Sequence, residues 1–88
     1  MEIYTTDTTV GYSTTVNETS GTKRVKSLDA MMLGWAVSKN LFRFNELKEF
    51  GTDIQKFLYP GRSNSSRLMS AGFAASRLRD EGLVKLSA

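Results

Sequence analysis

The residues of this chain best suited to chemistry gather toward its C-terminal end. The stretch Ser63 to Leu86 reads Ser-Asn-Ser-Ser-Arg-Leu-Met-Ser-Ala-Gly-Phe-Ala-Ala-Ser-Arg-Leu-Arg-Asp-Glu-Gly-Leu-Val-Lys-Leu. It holds Arg67, Arg77 and Arg79, with Arg62 just before it and no acid until Asp80. A guanidinium is a planar fork of donors that matches phosphate oxygens and the edge of guanine. The hydroxyls of Ser65, Ser66 and Ser70 add short donors and acceptors beside these forks. Acid–base and nucleophilic chemistry have poorer material. The chain has no His and no Cys, so the commonest general base, the commonest metal ligand and any thiol or disulfide are absent. Asp80 and Glu81 are adjacent near a helix end and do not face one another across a site. Ser63, Ser65 and Ser66 have no base within their pattern, and Pro60-Gly61-Arg62-Ser63 lacks the spacing and the lysine of a phosphate-binding loop. The expectation is a non-enzymatic protein with no cofactor and no metal.

The element that must position these groups is a helix. Ser63, Asn64 or Ser65 can accept a bond from a helix-start N–H. Leu68, Ala71, Ala75 and Leu78 then recur at helical spacing with Ala74 beside them. This predicts a buried face made mostly of alanine, which lets another helix approach closely. Gly82 ends the helix, because glycine adopts the left-handed cap conformation without a Cβ penalty. Leu83, Val84 and Leu86 follow as a short strand. On the helical wheel Met69, Phe73 and Ser76 lie away from the alanine face, and Arg67, Ser70 and Arg77 form one flank.

Two further helices are expected before it. The first runs from Leu28 to Ser38 with Ser27 as its N-cap. Leu28, Met31, Met32, Trp35 and Ala36 share one face, which Leu33 and Val37 widen, and Asp29 suits the positive end of the helix dipole. Trp35 reads as a core anchor and Asn40 as the terminator. Leu41-Phe42-Arg43-Phe44 alternates like a strand. Asn45 then caps a second helix, Glu46 to Leu58, in which Leu47, Phe50, Ile54, Phe57 and Leu58 keep one face across Gly51. Glycine weakens a helix interior by about 1 kcal/mol, so a break at Gly51 is the alternative. Tyr59-Pro60-Gly61 forms a turn.

Composition sets outer limits. Eighty-eight residues make one domain at most. Residues 1–26 are rich in Thr, Ser, Gly and Asn and are poor in core material. They read as a flexible arm or a β-ribbon, with Val10-Gly11-Tyr12 at its turn, and residues 27–88 as the folded domain. Asn17-Glu18-Thr19 fits a glycosylation pattern, but nothing else points to secretion. No apolar run approaches the roughly 20 residues of a membrane span, and Met-Glu-Ile-Tyr-Thr-Thr has neither the basic nor the apolar region of a signal peptide. An intracellular protein is expected, in cytoplasm or nucleoid, or in the host cell if the source is viral. The net charge of +3 is unevenly spread: residues 1–22 carry −3 and residues 23–88 carry +6. A basic body invites a polyanion, although a solvated surface of ordinary charge scatter accounts for the charge slightly better. Lys23-Arg24-Val25-Lys26 is either a solubilising junction or an arm that touches phosphates.

The order helix, strand, helix, turn, helix, strand over residues 27 to 86, with Leu78-x-x-x-Gly82-Leu83-Val84 at the end of the third helix, resembles a winged-helix DNA-binding domain. The fold class expected is therefore mainly α with short strands: a three-helix, winged-helix-like domain with a Thr/Ser-rich N-terminal arm or β-ribbon. Two features depart from the family. The second wing strand is missing, since the chain ends at Ala88, and Pro60-Gly61 is unusual before the third helix. The N-terminal segment is a candidate replacement for that strand.

The resemblance implies that the third helix enters the major groove of double-stranded DNA. Arg67 would then read a guanine edge, Ser65, Ser66 and Ser70 would bond bases or phosphates, and Arg62, Arg77, Lys23 and Lys26 would neutralise phosphates. A small regulator of transcription or replication is the function implied. Met69 and Phe73 point elsewhere. Large apolar groups on a groove-reading face are costly, and they suit a protein partner or a homodimer. The rival expectation is thus an adaptor or inhibitor, of the kind a virus directs at a host protein.

Overall fold

A computed structural model describes residues 2–6 and 27–87. The Val10-Gly11-Tyr12 turn, the Asn17 pattern and the Lys23 to Lys26 cluster lie outside the described residues. The described chain is mainly helical with a short antiparallel sheet: β1 (Tyr4–Thr6), α1 (Ser27–Lys39), α2 (Phe44–Leu58), α3 (Asn64–Asp80) and β2 (Val84–Leu86).

Each boundary has a local cause. α1 begins at Ser27 itself and ends where Asn40 takes the left-handed conformation, at φ 74°. α2 starts two residues before the expected Glu46, and Asn45 is not its cap. The Glu46 carboxylate accepts the Arg43 N–H at 2.7 Å, so a side chain in the first turn satisfies the residue before the helix. The expected strand at residues 41–44 shrinks to one bridge at Phe42, because Phe44 is drawn into the first turn of α2 with its ring 5.3 Å from Tyr4. α3 is capped by Ser63, whose hydroxyl accepts the Ser66 N–H at 3.2 Å. Its far end closes with two bonds, Leu83 N–H to the Leu78 carbonyl at 2.9 Å and Gly82 N–H to the Arg79 carbonyl at 3.0 Å. That pairing requires Gly82 at φ 79°.

The N-terminal strand does supply the sheet partner. β1 pairs with β2 in the register Tyr4 to Leu86, Thr5 to Lys85 and Thr6 to Val84. On its other edge Tyr4 donates to the Phe42 carbonyl at 2.7 Å and accepts from the Phe42 N–H at 3.1 Å. Tyr4 therefore joins the loop after α1 to the chain end, and its ring is buried with Phe42 and Val84.

The core lies between the three helices and this sheet. Met32, Leu33 and Ala36 meet Leu47, Phe42, Ala74, Ala75, Leu78, Leu83 and Val84. Trp35 anchors one side, stacked on Phe50 at 5.4 Å and edge-on to Phe42 at 5.5 Å. α2 continues through Gly51 without a break. A Cβ on Gly51 would lie 2.7 Å from the Met32 sulfur and 3.1 Å from the Ala71 Cβ. Glycine there, with alanine on α3, is what brings the helices this close.

Three expected faces are corrected. In α2 the buried residues are Leu47, Gly51 and Gln55, while Phe57 and Leu58 of the expected face are exposed. In α1 the buried residues are Asp29, Ala30, Met32, Leu33 and Ala36, while Val37 is half-exposed. The helix is turned toward Asp29, whose carboxylate is held inward by Arg77. In α3 the alanines and Leu78 are buried as expected, but Leu68 is 60% exposed and Arg67 takes the inner position one turn before Ala71.

The outer face of the third helix

α3 is apolar on both sides. Its inner side is the alanine stripe. Its outer side presents Leu68, Met69 and Phe73, exposed to 60, 60 and 59%, with Gly72 among them. Positions 68, 69, 72 and 73 recur one turn apart and form a continuous ridge on a helix. Three large side chains left this open on one ridge form a patch rather than scattered exposure.

α2 and α3 run antiparallel, which shapes the ground beside this ridge. Gly51 lies against Ala71, and Arg79 stands over the Phe44 ring at 4.8 Å. A groove of about 520 Å³ runs between the helices, with Leu68 and Gly72 on one wall and Asn45, Lys48, Glu49, Thr52 and Asp53 on the other. No Cβ occupies the space at Gly72, and one built there would meet nothing. Beyond Asn45 a second hollow of about 320 Å³ is lined by Glu2, Tyr4, Arg43, Phe44, Asn45 and Arg79.

The arginines expected to face a groove of DNA are mostly engaged by the protein itself. Arg67 is only 6% exposed. Its guanidinium donates to Asn64 Oδ1 at 3.1 Å, to the Pro60 carbonyl at 2.8 Å and to the Tyr59 carbonyl at 3.3 Å. It ties the turn before α3 to the first turn of α3, and its Nε is buried without a partner. The expectation of an outward Arg67 is therefore corrected. The Pro-Gly turn leaves carbonyls that need donors, and Arg67 reaches them. Arg77 does not stand free either: it grips Asp29 bidentately at 2.8 and 3.0 Å, joining α3 to α1, with its side chain 39% exposed.

The remaining expected residues are divided. Arg62 is exposed but bridges α2 and α3, donating to Gln55 Oε1 at 2.6 Å and to Ser70 Oγ at 3.1 Å. Ser66 receives a bond from the Ser63 hydroxyl at 3.1 Å, within the cap. Ser65 is exposed on the outer side, near the start of the apolar ridge. Lys23 and Lys26 lie outside the described residues. Met69 and Phe73 are where the helical wheel puts them, exposed and side by side.

No protein-family model matches the chain, and neither does any curated protein or solved structure. Its own geometry is the whole basis for a functional reading. Among the described residues no cluster of three or more acidic, His or Cys side chains is arranged to hold a metal, and no helix is long and apolar enough to cross a membrane. Sequence reasoning missed Leu68, Gly72 and the α2 wall. The apolar spacing 68, 69, 72, 73 carried the signal for the first two. The α2 wall had none, since Lys48, Glu49, Thr52 and Asp53 look like any solvated helix face.

Proposed function

We propose that this protein is a non-enzymatic interaction module whose contact surface is the outer face of α3 and the groove beside it. One observation carries the reading: α3 presents the exposed apolar ridge of Leu68, Met69 and Phe73, while Arg67 and Arg77 of the same helix are turned to internal partners. Covering Leu68, Met69 and Phe73 would be worth roughly 1 to 2 kcal/mol each, allowing for the part already buried. A groove-reading helix would instead leave these groups facing hydrated base edges and phosphates, where they gain little. The helix–strand order still resembles a winged-helix domain, and the reading treats that shape as a scaffold for a protein contact rather than for duplex DNA.

The test is recovery of bound protein on immobilised chain, with and without nuclease, compared between the unaltered protein and Phe73→Ser. The reading expects nuclease-resistant binding that Phe73→Ser abolishes while the far-ultraviolet spectrum stays unchanged. Binding of duplex DNA at about 50 mM salt, falling steeply as salt rises and indifferent to Phe73→Ser, would overturn it in favour of nucleic-acid recognition.

A further inference from the structure

We infer that the sheet position held by β1 is a strand-acceptor site, which takes the same segment in trans, from a second copy of this chain. The site shares no residue with the apolar ridge of α3.

β1 sits between two strand edges and serves both. Tyr4 exchanges both its backbone bonds with Phe42, at 2.7 and 3.1 Å. Backbone groups alternate in direction along a strand, so Ile3 and Thr5 turn theirs to the other side. There the Ile3 carbonyl accepts the Ser87 N–H at 2.8 Å, and Thr5 lies opposite Lys85. The Tyr4 ring is buried, stacked on Phe42 at 6.4 Å and tilted to Phe44 at 5.3 Å. Without β1, Phe42, only 1% exposed, keeps an N–H and a carbonyl with no protein partner, beside the hole the tyrosine ring leaves. Backbone groups so placed demand the backbone of another extended segment. The slot therefore specifies its occupant. It is a strand with an aromatic at the residue that bonds Phe42 twice, held to β2 through the residues before and after.

β1 is attached in the manner of a tethered ligand. Five residues at most separate α1 from α2, α2 from α3 and α3 from β2, whereas residues 7–26 separate β1 from α1. Among the described residues before α1, Tyr4 alone enters the core. The sequence shown to fit the slot is Ile3-Tyr4-Thr5-Thr6, and a second copy supplies it unchanged. Exchange between copies keeps every bond and the buried ring, so it needs no new surface. Its competitor is the chain's own strand, present at the slot at an effective concentration on the order of millimolar. Exchange is thus negligible in the dilute unaltered chain and becomes measurable once the resident strand is weakened.

The experiment titrates a fluorescein-labelled peptide of residues 2–7, Glu-Ile-Tyr-Thr-Thr-Asp, onto the full chain and follows anisotropy. The chains are the unaltered protein, Tyr4→Ala and Phe73→Ser, and a control peptide carries Tyr4→Ala. On the unaltered chain and on Phe73→Ser the peptide is expected to bind no tighter than about 1 mM. In Tyr4→Ala the resident strand loses its buried ring, which weakens it about a hundredfold or more. The peptide is then expected to bind at least about tenfold more tightly than to the unaltered chain, and the control peptide is not. If Tyr4→Ala does not fold alone, the peptide at millimolar concentration is expected to restore the helical far-ultraviolet spectrum, and the control peptide to leave it unchanged. Peptide binding to Tyr4→Ala no tighter than to the unaltered chain overturns the acceptor site. So does an unfolded Tyr4→Ala that the peptide leaves unfolded, or equal uptake of the control peptide. Loss of protein capture in Phe73→Ser bears only on the outer face of α3, so the two readings fail separately.

Discussion

Replacing Arg67 by alanine is expected to destabilise the fold by about 2 kcal/mol, because this residue is a clamp within the protein. Three bonds are lost, at 2.8, 3.1 and 3.3 Å. Bonds from a charged donor contribute about 1.5–3 kcal/mol when well made. Two of these are long, and the Tyr59 and Pro60 carbonyls sit in an exposed turn where water can replace the donor, so the net loss is nearer 2. Truncating the buried stem removes two methylenes, at about 0.8 kcal/mol each. Against this, the change relieves a buried Nε with no partner, returning about 1–2 kcal/mol. Arg67→Met sharpens the test. It keeps the stem and also removes the orphaned Nε, so its cost is expected to stay below about 1 kcal/mol. Urea unfolding at constant slope measures both. With a slope near 1 kcal/mol per molar for so small a domain, Arg67→Ala should lower the midpoint by about 2 M. In thermal melts the shift should be on the order of 10 °C. An Arg67→Ala protein that unfolds at the unaltered midpoint, yet loses affinity for duplex DNA, would refute the clamp and return Arg67 to the role of base reader.

Two other perturbations probe the packing that aims α3. Gly51→Ala gains about 1 kcal/mol of helix propensity, but its Cβ would sit 2.7 Å from the Met32 sulfur and 3.1 Å from the Ala71 Cβ. Met32 is fully buried, so its tail has no room to retreat. With overpacking at about 1–3 kcal/mol, a net loss near 1 kcal/mol is expected by urea denaturation, and a stabilised Gly51→Ala would contradict the close helix contact. For the Asp29–Arg77 pair a double-mutant cycle with alanine is expected to give a coupling of about 1–2 kcal/mol, at the middle of the range for contacting residues because Arg77 is partly hydrated. Arg77→Ala should cost more than Asp29→Ala, since it strands a carboxylate that is only 5% exposed; the reverse order would show that the pair does not hold α3 to α1.

Much of the fold was legible because its causes are local. Ser63 caps a helix through its own hydroxyl, Asn40 and Gly82 take conformations that few other residues tolerate, and the alanines of α3 repeat at a period that only a helix brings to one side. The candidate site was legible in part. The wheel placed Met69 and Phe73 outward from spacing alone. Leu68 and Arg67 were exchanged, because hydrophobicity ranks leucine for the core and arginine for water, and that ranking is blind to a turn whose carbonyls need a buried donor. Asp29 was misread for a similar reason: the dipole at the start of α1 explained it without the Arg77 fork, which comes from 48 residues away.

The sequence by itself determined that three helices follow one another, where the last begins and ends, that no His or Cys chemistry is available, and that the last helix carries two apolar sides. These follow from backbone conformation, side-chain inventory and periodicity, none of which needs a distant neighbour. The tertiary structure alone decided which arginines turn inward, that Arg67 and not Leu68 lies beneath α3, and that α2 walls the groove beside Leu68 and Gly72. Those outcomes depend on which donor lies within reach of which acceptor once the helices are packed, and reach of that kind is a property of the folded chain.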